Sequence, residues 1–258
     1  MFNAIRLAFS MFSRVPMGNP AWNEKNMRYM MAAFPLVGAV IGALVFGWLR
    51  LTDALALPNA LRALGMTLIP LAVTGGIHLD GLCDTADALA SNASPERRRE
   101  ILKDPRAGAF GVIAIAVYLL SYYALASAFP RGDLRADAVW GLSFVFTRAL
   151  SANAVLTFPG ADGGTAKAFR DASAKRSRAV LCGFVFALAL AAAMLTRRQT
   201  ALPFADAYAA PLVAVVFFLH LKRTARVKFG GMSGDLAGWF LQRAEVWMLA
   251  AMVAARLA

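Results

Sequence analysis

Cysteine and histidine are nearly absent from this chain, with two of each in 258 residues. Cys83 and Cys182 stand far apart with no C-x-x-C, and His78 and His220 form no spaced ligand set, which leaves no basis for a disulfide framework or a structural zinc site. Acid is scarce as well: 15 Asp and Glu stand against 27 Lys and Arg, for a net charge of +12. There is no Walker motif, no G-x-G-x-x-G and no internal repeat, and no stripe of aromatics interleaves the basic segments, so nucleic acid is not an expected partner. Acid is missing altogether before Glu24. There Phe2, Ile5, Phe9 and Phe12 are spaced as one helical face rather than as the continuous core of a signal peptide, which predicts an interfacial amphipathic helix. With Arg6 and Arg14, the same composition also fits an organellar transit peptide.

What the chain has in excess is apolar surface. Hydrophobic residues make up 59%, charged residues 16%, and the mean hydropathy is +0.57, which is membrane composition. Long apolar runs predict one all-α, polytopic integral membrane domain over 1–258, with seven spans near 31–49, 61–79, 109–129, 137–158, 179–196, 203–221 and 236–256. Charge divides unevenly between alternate connections. The N-terminal segment and segments 80–108, 159–178 and 222–235 hold eighteen of the 27 cations, every lysine among them. The other side has only Arg50, Arg62, Arg131, Arg135, Arg197, Arg198 and Arg256. The positive-inside rule therefore predicts that the first set faces the cytoplasm, where it would draw anionic substrates, phosphates above all. The same bias by itself accounts for most of these cations.

The most informative stretch is Gly75-Gly76-Ile77-His78-Leu79-Asp80-Gly81-Leu82-Cys83-Asp84-Thr85-Ala86-Asp87, at the predicted cytoplasmic mouth of the second span. On a helix, Asp80, Asp84 and Asp87 fall within about 60° of one another. Two carboxylates about 5 Å apart cost roughly 3 kcal/mol at an effective dielectric near 20, so either a proton is held or a cation neutralises them. All-oxygen ligands favour a hard ion, Mg²⁺ first. His78 sits about 200° from Asp80 on a continuous helix. It can reach a substrate only if Gly75-Gly76 break that helix, and a structural role is the alternative. Cys83 reads as a packing residue.

Further along, Ser94-Pro95-Glu96 predicts the capped start of a short helix bearing Arg97 to Arg99, which ends near Lys103-Asp104-Pro105-Arg106-Ala107-Gly108-Ala109-Phe110-Gly111. In that turn Lys103 and Arg106 are candidates for phosphate contact, and Gly108 and Gly111 let backbone amides approach a ligand. The other reading is a helix stop with membrane-flanking cations. Gly230-Gly231-Met232-Ser233-Gly234-Asp235 opens the last span with amides suited to an anion, beside an Asp235 that either bridges through a metal or caps the helix. Asp162-Gly163-Gly164-Thr165 with Lys167 is a third glycine-rich turn. Arg148, Arg243 and Glu245 lie inside spans, where each is expected to face the protein interior or pair there.

These motifs, in this order, resemble the cobalamin-5′-phosphate synthase (adenosylcobinamide-GDP ribazoletransferase) family. The acidic run, Ile101-Leu102-Lys103-Asp104-Pro105-Arg106, the Gly230 to Asp235 turn and Glu245 carry the likeness, supported by Phe12-Ser13-Arg14-Val15-Pro16 and Phe34-Pro35-Leu36-Val37-Gly38. Cys83, Ala88 and Ser233 stand where the family usually has alanine, glycine and threonine. The resemblance implies a Mg²⁺-dependent, multi-pass enzyme of the cell inner membrane with its site facing the cytoplasm. It would join adenosylcobinamide-GDP to α-ribazole or α-ribazole 5′-phosphate and release GMP. On that footing Asp80, Asp84 and Asp87 are candidates for base and metal ligand, and Asp235 for a further metal contact. Arg14, His78, Lys103, Arg106, Gly108, Gly231 and Gly234 are candidates for substrate binding. The lipid bilayer is the expected surround, and a homo-oligomer stays open.

Two other classes compete. An ion-coupled transporter would also need intramembrane acids, but such sites lie near the midplane between two related halves, and no repeat is present here. A CDP-alcohol type phosphotransferase would show D-G-x-x-A-R, whereas Asp80-Gly81 is followed by Leu82-Cys83-Asp84-Thr85.

Overall fold

The structure, a computed structural model, describes residues 2–160, 165–173, 175–196 and 203–256. The glycine-rich turn Asp162 to Gly164 lies outside them. All described elements are helical: α1 (Phe2–Phe12), α2 (Glu24–Met27), α3 (Met30–Ala54), α4 (Asn59–Thr74), α5 (Ile77–Ala90), α6 (Pro95–Ile101), α7 (Ala109–Ser127), α8 (Leu134–Thr157), α9 (Thr165–Ala172), α10 (Lys175–Thr196), α11 (Pro203–Phe229) and α12 (Gly234–Ala254). Among the described residues the one extended pairing is an isolated bridge between Gly160 and Met232.

The chain is thus an all-α, polytopic membrane protein. α3, α7, α8 and residues 208–229 of α11 are each long and apolar enough to cross a bilayer. α4 and α5 reach that standard only together, and they are bent by 93° at the break between them. A helix occupies each of the seven predicted spans, but the count of seven rests on the sequence alone. The second span is a correction: α4 stops at Thr74, because Gly75 and Gly76 both take left-handed backbone angles, φ +66° and +83°.

α8 is the central helix and is buried along nearly its whole length. It packs on α3 through a small-residue seam, Gly38 and Gly42 against the backbone of Phe144 and Gly141. A Cβ on Gly42 would stand 2.1 Å from the Gly141 carbonyl oxygen, so only glycine permits this approach. In lipid the seam matters because close van der Waals contact replaces the hydrophobic driving force. The outer faces carry Leu64 and Leu68 of α4, Val117 and Leu120 of α7, and Val216 and Leu219 of α11, all exposed, as a lipid-facing belt requires.

α1 is amphipathic, as its spacing predicts, and its apolar face meets the bundle. Its buried residues are Ala4, Leu7, Ala8 and Phe9, packed against α3, while Phe2 is exposed. Two alanines on the inner face let it lie close to the bundle.

The two ends of the bundle differ in charge. At one end Arg50, Arg62 and Arg131 interlock with Asp53 and Asp137 at 3.1 to 3.5 Å, and Arg256 pairs with Asp133. At the other end the four cation-rich segments touch one another. Arg98 donates to the Lys228 carbonyl, Met232 to Pro159, and Ser177 to Arg28.

Candidate active site

The acidic stripe is positioned by the break at Gly75-Gly76. The side chain of Arg14 lies over Gly75, where a Cβ would come within 2.7 Å of it, and the Arg14 backbone N–H donates to the Val73 carbonyl at 2.8 Å. α5 then runs across the end of the bundle between α7 and α12. Its contact with α12 is nearly backbone on backbone. A Cβ on Gly81 would sit 2.7 Å from the Asp235 carbonyl oxygen, and one on Gly238 would sit 3.0 Å from that of His78. Glycines at this crossing bring Asp80 and Asp84 alongside Asp235, from an element over 140 residues further along the chain.

Among the described residues, no ion pair reaches Asp80, Asp84, Asp87 or Asp235. Asp80, Asp235 and Asp87 all lie close enough to Asp84 to repel its charge. Asp80 is exposed, and the other three are half-buried. Asp87 is engaged on both oxygens, accepting from the Gly108 amide at 2.7 Å and the Gly111 amide at 2.8 Å. It therefore caps α7 from another helix, with its negative charge at a helix N-terminus. This answers what the Gly108 and Gly111 amides approach: an aspartate of the chain itself. Cys83 is buried against Gly111, which fits packing.

The donor set is all oxygen, anionic and without a cationic partner, which suits a hard divalent ion. The arrangement is not closed, however: among the described residues no three His, Cys, Asp or Glu side chains are grouped so as to hold a metal ion.

The flanking turns divide by role. Ser94 caps α6, as its spacing predicts. Arg98 is buried and donates to the Ala88 carbonyl at 3.2 Å, and Arg99 donates to the Phe229 carbonyl at 2.7 Å. These two arginines therefore bind the C-terminal carbonyls of α5 and α11 rather than facing a substrate. Asp104 accepts from the backbone N–H, Nε and Nη2 of Arg106, at 2.9 to 3.0 Å. Those hydrogen bonds hold the Asp104 carboxyl well below its ordinary value, at about 2. Lys103 is exposed on the same turn. Asp84, Asp87, Asp104, Arg106 and Gly108 line an open cavity of about 280 Å³.

In the last glycine turn, the Gly231 amide donates to the Ala225 carbonyl at 2.9 Å, so it serves the turn. Ser233, not Asp235, is the N-cap of α12, accepting from the Leu236 amide at 3.2 Å. That frees the Asp235 carboxylate to face α5. Gly234 and Asp235 line a second, smaller cavity of about 140 Å³, together with Asp80, His78, Phe12, Phe34, Phe169 and Ser151. With the helix broken, His78 does face a cavity shared with Asp80. Phe12 and Phe34 belong to motifs noticed in the sequence but not assigned to a site, and nothing in the sequence marks Ser151 or Phe169.

Arg148 and Glu245 form a fully buried ion pair beneath this site, joined by Thr147 at 3.1 and 3.3 Å. Arg243 lies over the rings of Trp239 and Phe217 at 4.7 and 4.9 Å. All three intramembrane charges thus face protein.

The sequence matches known proteins over almost its full length. The family model described as cobalamin-5-phosphate synthase covers residues 4–253. An adenosylcobinamide-GDP ribazoletransferase of Lachnoclostridium phytofermentans is 38% identical over 98% of this chain and 94% of its own length. Proteins of the same description from Geobacillus kaustophilus and Clostridium perfringens are 30% and 28% identical, covering 96% and 93% of both chains. No solved structure matches the chain. Coverage of this extent means that the chain belongs to the cobalamin-5-phosphate synthase family.

Proposed function

We propose that this chain joins adenosylcobinamide-GDP to α-ribazole or its 5′-phosphate with release of GMP, using Mg²⁺, at the cytoplasmic face of the inner membrane. The observation that carries this reading is the meeting of Asp80, Asp84 and Asp235, unpaired by any cation among the described residues, at the end of the bundle where the basic segments gather. The family relationship supplies the substrates.

The transfer forms a bond from a ribose hydroxyl oxygen to a pyrophosphate phosphorus and breaks the bond from that phosphorus to GMP. The hydroxyl proton must go to a base, and negative charge builds on the departing GMP. Asp80 and Asp84, neither held by an ion pair, suit the proton. Arg106, at the larger cavity, and Lys103, exposed on the turn beside it, suit the phosphates of the donor, the first by hydrogen bonds and the second by charge. Asp80, Asp84 and Asp235 would supply oxygen ligands to Mg²⁺ by closing together on it, since they are not grouped tightly enough to hold an ion as they stand, with Asp87 fixing the helix that carries two of them. The ion would supply neutralisation of the phosphoryl oxygens. Arg98, Arg99 and the Gly81–Asp235 crossing keep these groups in register.

Release of GMP by the purified protein in detergent tests this directly. Both substrates and Mg²⁺ together should give turnover, excess chelator should abolish it, and Ca²⁺ should restore it poorly because the larger ion relaxes the geometry. Full activity in chelator removes the metal from the mechanism, and no GMP release under any condition removes the reading.

A further inference from the structure

The smaller cavity has a wall that neither a phosphate nor a cation accounts for. Phe12, Phe34, His78 and Phe169 form a connected set of rings around it. The Phe12 and Phe34 centroids are 4.3 Å apart, Phe34 and His78 5.6 Å, and Phe12 and Phe169 6.4 Å. Tilted and edge-on rings at these separations are how aromatic side chains receive another flat ring. Two residues bordering the cavity each carry an enclosed polar atom with no hydrogen-bond partner among the described residues: Nε2 of His78, which is 5% exposed, and Oγ of Ser151, which is 0% exposed, so a side-chain rotation must accompany any contact with a ligand. Buried polar atoms are normally matched, by protein, water or ligand, so a ligand that carries polar atoms of its own would match these two. An acyl chain fills the space and leaves both unmatched. A flat heterocycle with a ring nitrogen, attached to a sugar, fills it and matches them.

Size agrees. An apolar cavity of about 150 Å³ takes one benzene ring, so this one, of about 140 Å³ and bordered by the exposed Asp80, admits the benzenoid part of a fused ring system. Asp80 and Asp235 line this cavity, whereas Asp84 and Asp87 line the larger one, so the acidic cluster stands between the two.

We propose that the smaller cavity is the acceptor subsite. It receives the flat benzimidazole base of the acceptor nucleoside among Phe12, Phe34 and His78, with His78 Nε2 and Ser151 Oγ meeting polar atoms of the nucleoside. The ribose is thereby held against Asp80 and Asp235, and the larger cavity is left to the phosphates of the donor. This assignment rests on the transfer reading above.

The test uses the full chain in detergent, with GMP release measured against each substrate in turn. His78→Phe keeps a ring and removes the nitrogen, and Ser151→Ala removes only the hydroxyl. Each should raise the KM for α-ribazole about tenfold, as loss of one buried hydrogen bond does, with a much smaller change for adenosylcobinamide-GDP. In the parent protein, free benzimidazole should compete with α-ribazole and not with the donor, at least about tenfold better than indane, which has the same shape without nitrogen. That arm needs no variant and so decides the matter even if a substitution fails to fold. Unchanged acceptor KM in both folded variants, or equal inhibition by benzimidazole and indane, overturns the subsite. A parent protein that releases no GMP overturns the transfer reading itself, a different and distinguishable result.

Discussion

Asp84 and Asp87 are both acids of one stripe, yet their surroundings differ, and so should the effects of removing their charges. Asp84 is repelled by three carboxylates and paired with no cation among the described residues, so Asp84→Asn relieves repulsion and should leave the fold intact or slightly stabilised. Turnover should still fall by a factor on the order of 10² or more if a ligand or base is lost. Asp87→Asn also removes the charge that accepts from Gly108 and Gly111, and an amide offers one good acceptor oxygen where the carboxylate offers two. It should lose activity and in addition about 1–2 kcal/mol of stability, seen as a lowered unfolding temperature. Equal stability of the two variants would remove the capping role from Asp87. At the neighbouring turn, Asp104 has its carboxyl held at about 2, below its ordinary value, by Arg106. A depressed carboxylate contributes above its unfolded pKa and loses that contribution as pH falls through the folded value, so the contact is constant from pH 5 to 8. Arg106→Ala should therefore raise the donor KM without altering the shape of the pH profile in that range. A profile that changes shape would mean that Arg106 acts through a titrating partner.

At the scale of elements, the glycines decide where the acids go. A Cβ on Gly81 would meet the Asp235 carbonyl at 2.7 Å, whereas one on Gly47, in the C-terminal half of α3, meets nothing within 4 Å. Gly81→Ala should push α5 off α12 and lower GMP release at least about tenfold, since misplacement by an ångström costs that much or more. Gly47→Ala should be harmless or slightly stabilising. Similar activity for the two would mean that the crossing does not set the site. The same elements show what was legible in the sequence. Helical periodicity and apolar runs gave the helices and put three aspartates on one face, because those are local properties. The 93° turn was legible only as a possibility, since two glycines permit left-handed angles without requiring them. The pairing of α5 with α12, the capping of α7 by Asp87 and the use of Arg98 and Arg99 on helix ends depend on long-range contacts that no local spacing encodes. Asp235 was singled out for its glycine turn, and only the fold brings it beside Asp80 and Asp84.

At the scale of the molecule, the ion pairs explain how charge is distributed better than a count of cations does. Arg50, Arg62 and Arg131 share Asp53 and Asp137, with Arg62 2% exposed and Asp137 fully buried, so most of the positive charge at that end of the bundle is offset by ion pairs. The opposite end keeps its lysines and a cluster of unpaired acids, and it is the end that the positive-inside rule assigns to the cytoplasm. The end assigned outward is locked by pairs that need no orientation signal, and the end assigned inward holds the charge that sets orientation. Reporters fused after Arg99, Arg176 and Lys228 should therefore read as cytoplasmic, and fusions after Leu57, Gly132 and Gln199 as the opposite side. Leu57 and Gly132 belong to the locked end, where Arg131 donates to the Leu57 carbonyl at 2.7 Å and the Gly132 amide to Asp53 at 3.0 Å. The two fusions must consequently agree with each other whichever way the protein sits. A cytoplasmic reading at both would invert the orientation while leaving the bundle intact. Opposite readings at Leu57 and Gly132 would contradict the fold, because the contacts that join them cannot cross a bilayer.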